Sequence, residues 1–290
     1  MATQPTSRTR RDRCPGALRP WPAEDGLLVR LRLIGGRVAS PALRALAAAA
    51  EEFGDGRVHL TVRANLQVRA FPGRDGALDP AALAAIEGTG LLPSRTHELA
   101  RNVLVSPQTG LAGGRADLRP VAAELDRRLC ADASLARLPG RFLFVLDDGR
   151  GDVLGRPCDL GLVALGDGAA QLRAGDGWGG VLPVSDAPAA LAALAAEFLR
   201  RRGSGPAAPW HVAELPAPLT PAVPADSRVP APSGPLPYGL VPGGRHVAVP
   251  ATGLDRPAVE DLTARVPDVI VTPWRGVLVP RQHSPGKDSQ

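Results

Sequence analysis

Leu60-Thr-Val-Arg-Ala-Asn-Leu-Gln-Val-Arg-Ala-Phe71 is the stretch on which the reading of this 290-residue chain turns. Polar and apolar residues alternate along it with the period of a strand, which predicts Leu60, Val62, Leu66 and Val68 on one buried face. Arg63, Asn65 and Gln67 would then share the opposite face. A guanidinium and two amides on an apolar support suit an anionic ligand with several oxygens.

Upstream, Leu27 to Leu33 alternates in the same way, Gly35-Gly36 interrupts it, and Ser40-Pro41 opens an alanine-rich helix to about Phe53. The three segments make a β-α-β unit, followed by a second helix from Asp79-Pro80 to about Glu87. Downstream, Asp117 to Ala131 carries Leu118, Val121, Ala122, Leu125 and Leu129 on one helical face. From Phe142 the pattern shortens to strands, with hairpin signals at Asp147-Asp-Gly-Arg150 and Gly166-Asp-Gly168. Ala187 to Arg202 returns to a helix. Residues 203–236 are rich in proline, alanine and serine without hydrophobic period, which predicts a linker.

Beyond it a second β-α-β unit repeats the first. Aligned on the opening stretch, Thr272 falls on Thr61, Val277 on Leu66 and Val279 on Val68, while Pro257 falls on Pro41. The pattern predicts an α+β fold of two β-α-β halves with a larger mixed lobe between them.

Four passages carry a family resemblance. Leu60 to Arg69 resembles the Thr-x-Arg-x-Asn-x-Gln signature of the nitrite and sulfite reductase superfamily. Arg13-Cys-Pro-Gly-Ala-Leu18 followed by Asp25-Gly-Leu-Leu28 resembles the start of its ferredoxin-like half-domain in the precorrin-3B synthase branch. Arg101-Asn-Val-Leu-Val-Ser-Pro107 and Leu138-Pro-Gly-Arg-Phe142 resemble two later family segments.

The resemblance implies two ferredoxin-like halves that form a composite sheet. The implied divisions are an extension at 1–22, half-domains at 23–89 and 237–281, the mixed lobe at 90–202, the linker at 203–236 and a polar tail at 282–290. It also implies that Arg63, Asn65, Gln67, Arg101 and Arg141 contact a carboxylated tetrapyrrole. The family enzyme is an iron-sulfur oxygenase that hydroxylates precorrin-3A and forms a lactone in aerobic cobalamin biosynthesis.

One family feature is missing. The superfamily holds a 4Fe-4S cluster with cysteines spaced C-x5-C and C-x3-C, whereas this sequence has only Cys14, Cys130 and Cys158. The expectation is a chain that stops before the cluster motif and is inactive in isolation. Siroheme is a less favoured group, because Leu143 stands where the siroheme enzymes often place a second basic residue. The alternatives are a nitrite/sulfite reductase-like fragment, a tetrapyrrole-binding subunit served by a separate cluster-bearing chain, and a truncated remnant.

Composition narrows the partners. The net charge of +5 comes from arginines spread through the predicted elements, with Lys287 the single lysine, so no nucleic-acid arm is expected. No apolar run reaches membrane-spanning length, and no apolar segment follows Arg10-Arg11, which points to a cytoplasmic protein without a membrane partner. The five histidines, His59, His97, His211, His246 and His283, have no ligand spacing, so no metal site is expected from them.

Overall fold

The computed structural model describes residues 14–281; the first thirteen residues and the expected tail at 282–290 lie outside them. The fold is α+β, two ferredoxin-like halves flanking a mixed lobe. The first half contains β1 (Trp21–Ala23), β2 (Gly26–Leu31), β3 (Arg37–Ala39), α1 (Ser40–Phe53), β4 (His59–Leu60), β5 (Leu66–Phe71), the short pair β6 (Gly73–Arg74) and β7 (Ala77–Leu78), and α2 (Pro80–Gly88). Its sheet runs β1-β2-β5-β4.

The middle lobe holds β8 (Val103–Val105), α3 (Arg119–Ala131), β9 (Phe144–Asp147), β10 (Leu160–Gly166), β11 (Ala169–Ala174), β12 (Gly177–Pro183) and α4 (Ala187–Arg202). The last half holds β13 (Gly239–Val241), β14 (Gly244–Ala248), α5 (Arg256–Thr263), β15 (Asp268–Thr272) and β16 (Gly276–Pro280).

The two halves have one topology. The second sheet runs β13-β14-β16-β15, position for position the order of the first, and β3 of the first half extends it beyond β15. The aligned valines and leucines explain why. Leu66, Val68, Val271 and Val277 all point into one shared core with Leu43 and Leu46 of α1 and Val259 and Leu262 of α5. Ser40, the first residue of α1, binds Val266 O through its hydroxyl (2.6 Å) and Pro267 O through its amide (2.8 Å), so the helix start is tied to the opposite half instead of to its own cap.

The middle sheet, β12-β11-β10-β9-β8, is covered differently on its two faces. Phe144, Leu146, Leu160 and Leu162 pack under α3 and α4, while Leu104, Leu143 and Val145 join the core of the two halves. Burial on both faces is what the near-continuous apolar run of β10 requires.

Two expectations are corrected. Leu60 to Phe71 is not one strand: β4 ends at Leu60 and β5 begins at Leu66, and the two pair antiparallel around a tight turn. Ala64 adopts a positive φ of 55° there, and the Thr61 hydroxyl accepts the Asn65 amide (3.1 Å), so a threonine and an alanine make a turn that no glycine announces. Asp147-Asp-Gly-Arg150 is not a hairpin either, because β9 and β10 run parallel. Its role is to turn the chain out of the sheet, with the Asp147 carboxylate accepting the amides of Gly149, Gly151 and Val153.

Residues 203–236 form few regular elements yet lie along the middle lobe as a strap. Ala208, Val212 and Leu219 are buried, the Gln171 side chain bonds Pro224 O and Asp226 N, and Arg201 bonds Pro218 O.

Candidate functional site

The face of the first sheet away from the core is where the chemistry collects. In β2, Leu27, Val29 and Leu31 point inward, so Leu28 and Arg30 point out. Arg30 sits directly opposite Gln67 of β5, and its Nη2 donates to Gln67 Oε1 (3.1 Å). Trp21 of β1 faces Leu28. Together with Arg63, Arg141, Cys14 and Pro15, the side chains of Arg30, Trp21 and Leu28 line an open cleft of about 400 Å³.

Its electrostatics differ from those around several arginines elsewhere in the fold. Arg37, Arg69, Arg101, Arg119, Arg150 and Arg228 each pair with an aspartate. Among the described residues no carboxylate reaches ion-pair distance of Arg30 or Arg63, whose partners are the Gln67 amide oxygen and the Arg141 carbonyl (3.0 Å from Arg63 Nη1). Arg30 Nε is buried with no hydrogen-bond partner, and burial together with the nearby Arg63 charge pushes the Arg30 pKa below its ordinary value, against an opposing effect of Cys14. Two facing cations without an anion are costly in this setting, and a bound anion removes the cost.

Of the five residues expected at the site, the structure brings two into the lining of this cleft, Arg63 on the β4–β5 turn and Arg141 before β9, while Gln67 on β5 adjoins it through its bond to Arg30. Arg141 is exposed and lies over the Trp210 ring, 5.3 Å from its centroid. Asn65 and Arg101 go elsewhere. Asn65 is buried, accepting the Leu33 amide (2.9 Å) and donating to Asn102 Oδ1 (3.1 Å), while Asn102 donates to Gly140 O (2.8 Å). This relay of amides fixes the β4–β5 turn against the segment that carries Arg141. Arg101 is buried against Asp126, with both carboxylate oxygens engaged at 2.6 and 2.8 Å. That bidentate pair outweighs the effect of burial and holds the Arg101 pKa above its ordinary value. The predicted common face of Arg63, Asn65 and Gln67 therefore does not exist, because the turn rotates Asn65 inward.

Arg30 was not expected at the site, although its signal was in the sequence: it is the outward position of an alternating strand. The cleft's third wall comes from Cys14 and Pro15, held by Glu98. Glu98 Oε2 accepts the Ala17 amide (2.6 Å) and Oε1 the Leu18 amide (3.1 Å). Burial raises the Glu98 pKa, opposed by these two amides and by Arg32 and Arg19.

A second cavity, of about 320 Å³, lies between β3, β15 and α3. Its walls are mainly apolar, among them Ile34, Val105 and Ile270, and its arginines, Arg37 and Arg119, are already neutralised by Asp268 and Asp117. It has apolar surface but no unanswered charge.

The residues for an iron-sulfur cluster do not come together. Cys14 lines the cleft, Cys130 lies on α3 beside Asp126, and Cys158 packs against the core with its thiol pushed by burial up to about 12. Among the described residues the one close group of ligand-type side chains is Asp147, Asp148 and Asp152. These carboxylates are used by backbone amides, Arg150 and Ser106. They do not fit a cluster that needs thiolates. No helix among the described residues is long and apolar enough to cross a membrane.

Comparison with known proteins agrees with this fold. Residues 21–75 match the nitrite/sulfite reductase ferredoxin-like half domain. A precorrin-3B synthase from Sinorhizobium sp is 34% identical over 146 residues, which is 48% of this chain and 29% of that protein. The solved Mycobacterium tuberculosis NirA protein superposes with a TM-score of 0.63 over 88% of this chain and 54% of its own, at 21% identity, a likeness of fold. The chain thus spans less than a third of the one relative and about half of the other. Residues 21–75 thus resemble the nitrite/sulfite reductase ferredoxin-like half domain, 146 residues resemble part of a precorrin-3B synthase, and most of the chain shares the fold of the NirA protein.

Proposed function

We propose that the arginine cleft binds the carboxylates of a tetrapyrrole, and that the chain supplies this binding surface to a precorrin-3B synthase-type reaction, hydroxylation and lactone formation on precorrin-3A. The observation that carries the reading is the pair Arg30 and Arg63, facing a cleft where no carboxylate of the described residues reaches ion-pair distance of either. Charge-assisted hydrogen bonds from a guanidinium to a carboxylate contribute about 1.5–3 kcal/mol each, so two such contacts give useful affinity. Trp21 adds an aromatic surface at the same cleft, suited to a flat macrocycle.

A polycarboxylate fits better than a small oxyanion such as sulfite or nitrite. Leu143, where a second basic residue would strengthen an oxyanion site, is buried in the core and adds no charge to the cleft. The redox step belongs to an iron-sulfur centre whose thiolates the described residues do not supply, so the role proposed for them is recognition and positioning. This role calls for a cluster supplied from outside the described residues.

The test is a titration of the full chain with uroporphyrin, an octacarboxylate, followed by its visible absorbance, beside the neutral octamethyl ester. The expected result is saturable binding of the acid, weakened by salt and lost in an Arg30→Ala, Arg63→Ala double variant. Equal binding of acid and ester, or no effect of the double variant, would sink the proposal.

A further inference from the structure

The cleft's third wall is a loop, and loops seldom make a firm wall by themselves. Here Cys14 to Leu18 is fixed at several points. The Glu98 carboxylate takes the amides of Ala17 and Leu18, and the buried Arg32 donates Nη1 to Pro15 O (3.2 Å) and to Glu98 O (3.1 Å). Within the loop, Gly16 N bonds Arg19 O (3.1 Å) and Arg19 Nη2 bonds Cys14 O (3.3 Å). At Gly16 any Cβ would overlap the Glu98 carboxylate, so the close approach of loop and acid depends on a residue with no side chain. Glu98 is buried and is not among the residues that line the cleft.

We infer that Glu98 is a positioning residue for the ligand cleft: by binding the Ala17 and Leu18 amides it holds Cys14 and Pro15 against Arg30, and so sets the width of the site. The inference rests on the proposed function for the identity of the ligand, but the latch itself does not. A carboxylate is the group required, because it offers an acceptor to each of two neighbouring amides. A carboxamide in the same place offers one acceptor and turns an N–H toward the other amide. Arg32 plays the complementary part, a buried cation that receives the loop's outward carbonyl and offsets the charge of Glu98.

The experiment compares the full-length chain with Glu98→Gln, Glu98→Ala and Gly16→Ala. Two readouts are taken at a temperature well below unfolding: uroporphyrin affinity, and the rate of Cys14 alkylation by iodoacetamide resolved by peptide mass spectrometry. The wild type is expected to bind most tightly and to alkylate most slowly at Cys14. Glu98→Gln should fall between it and Glu98→Ala, whose affinity drops about tenfold for the loss of a preformed wall.

Gly16→Ala reaches the same state from the loop side and serves if Glu98→Ala does not fold. Unchanged Cys14 reactivity and unchanged affinity across the folded variants would overturn the inference, as would a fall in melting temperature with neither readout moved. If the wild type binds no porphyrin while Glu98→Ala still speeds Cys14 alkylation, the latch stands and the ligand assignment falls.

Discussion

The two half-domains share a topology and differ in what stands on the outer face. Counted across the central strand pairs, Arg30 faces Gln67 in the first half, and His246 faces Leu278 in the second. Arg63 on the first turn corresponds to Trp274 on the second, and the positive φ of Ala64 (55°) recurs at Arg275 (58°). The first face is a cationic cleft, whereas the second is covered around His246 by aromatic and apolar side chains. His246 is buried, stacked on Tyr238 with ring centroids 4.6 Å apart and meeting Trp274 edge-on at 6.3 Å. Leu236 and Leu111 complete the covering over Ile270 and Leu278. One scaffold thus carries an open site and a plugged copy of it, and the difference lies in a few outward residues, not in the fold.

The contrast predicts opposite responses to mutation, and the largest effect marks the outer limit of what a cation in this protein costs. Arg101 was expected at the site and is instead a paired, buried cation. Removing its partner with Asp126→Ala strands that charge and should lower stability by about 3–5 kcal/mol, without changing porphyrin affinity measured on the folded fraction. Urea denaturation gives the first quantity. An affinity loss in a fully folded Asp126→Ala protein would return Arg101 to the ligand site.

In the plugged half, Trp274→Ala removes a half-buried ring and uncovers His246. A loss of about 2–4 kcal/mol is expected from the emptied volume, with affinity unchanged. Loss of porphyrin binding in this variant would mean that the second face takes part in recognition, and the division of labour between the halves would fail.

The open half should behave the other way round. Arg30→Met keeps the packing of the side-chain stem while deleting a partly buried charge that has no acidic partner among the described residues. It should weaken porphyrin binding by about 10- to 100-fold, the worth of one charge-assisted contact, and raise stability by about 1 kcal/mol. Paired measurements of affinity and urea midpoint on one preparation separate this from a folding defect, which would lower both.

How much of this was open to inspection in the sequence follows from where the physics is periodic. The inward valines and leucines of both halves repeat because each must meet the same core, so Thr61 and Thr272, Leu66 and Val277, and Val68 and Val279 could be aligned and the halves predicted. The β4–β5 turn was hidden because its tight conformation rests on the Thr61 hydroxyl and on Ala64, residues that otherwise favour nothing of the kind. Arg63 therefore reaches the cleft and Gln67 adjoins it through Arg30, while Asn65 does not. Nor could Arg101 be distinguished from Arg30 by composition: what separates them is Asp126, 25 residues away along the chain and within hydrogen-bond distance in the fold. Pairing of charges is a tertiary fact, and at Arg30 and Arg63 no carboxylate of the described residues supplies it.

The smallest effect is a pH dependence confined to the plugged half. His246 Nδ1 lies 3.1 Å from the carbonyls of Leu236 and Pro237, and Nε2 lies 2.9 Å from the Thr272 hydroxyl. Burial lowers its pKa below the ordinary 6.5, against the opposing effect of those carbonyls. Between pH 6.5 and the lower folded value the unfolded chain binds more protons at this residue than the folded one, so its contribution to stability is present above 6.5 and declines as the pH falls. Glu98 and Asp152, with pKa values raised by burial, act in the opposite sense, so the quantity to measure is the difference between wild type and His246→Gln. That difference should shrink from pH 7.5 toward pH 5 by about 1 kcal/mol or less, and a difference constant over this range would mean that the plug holds its histidine without regard to charge.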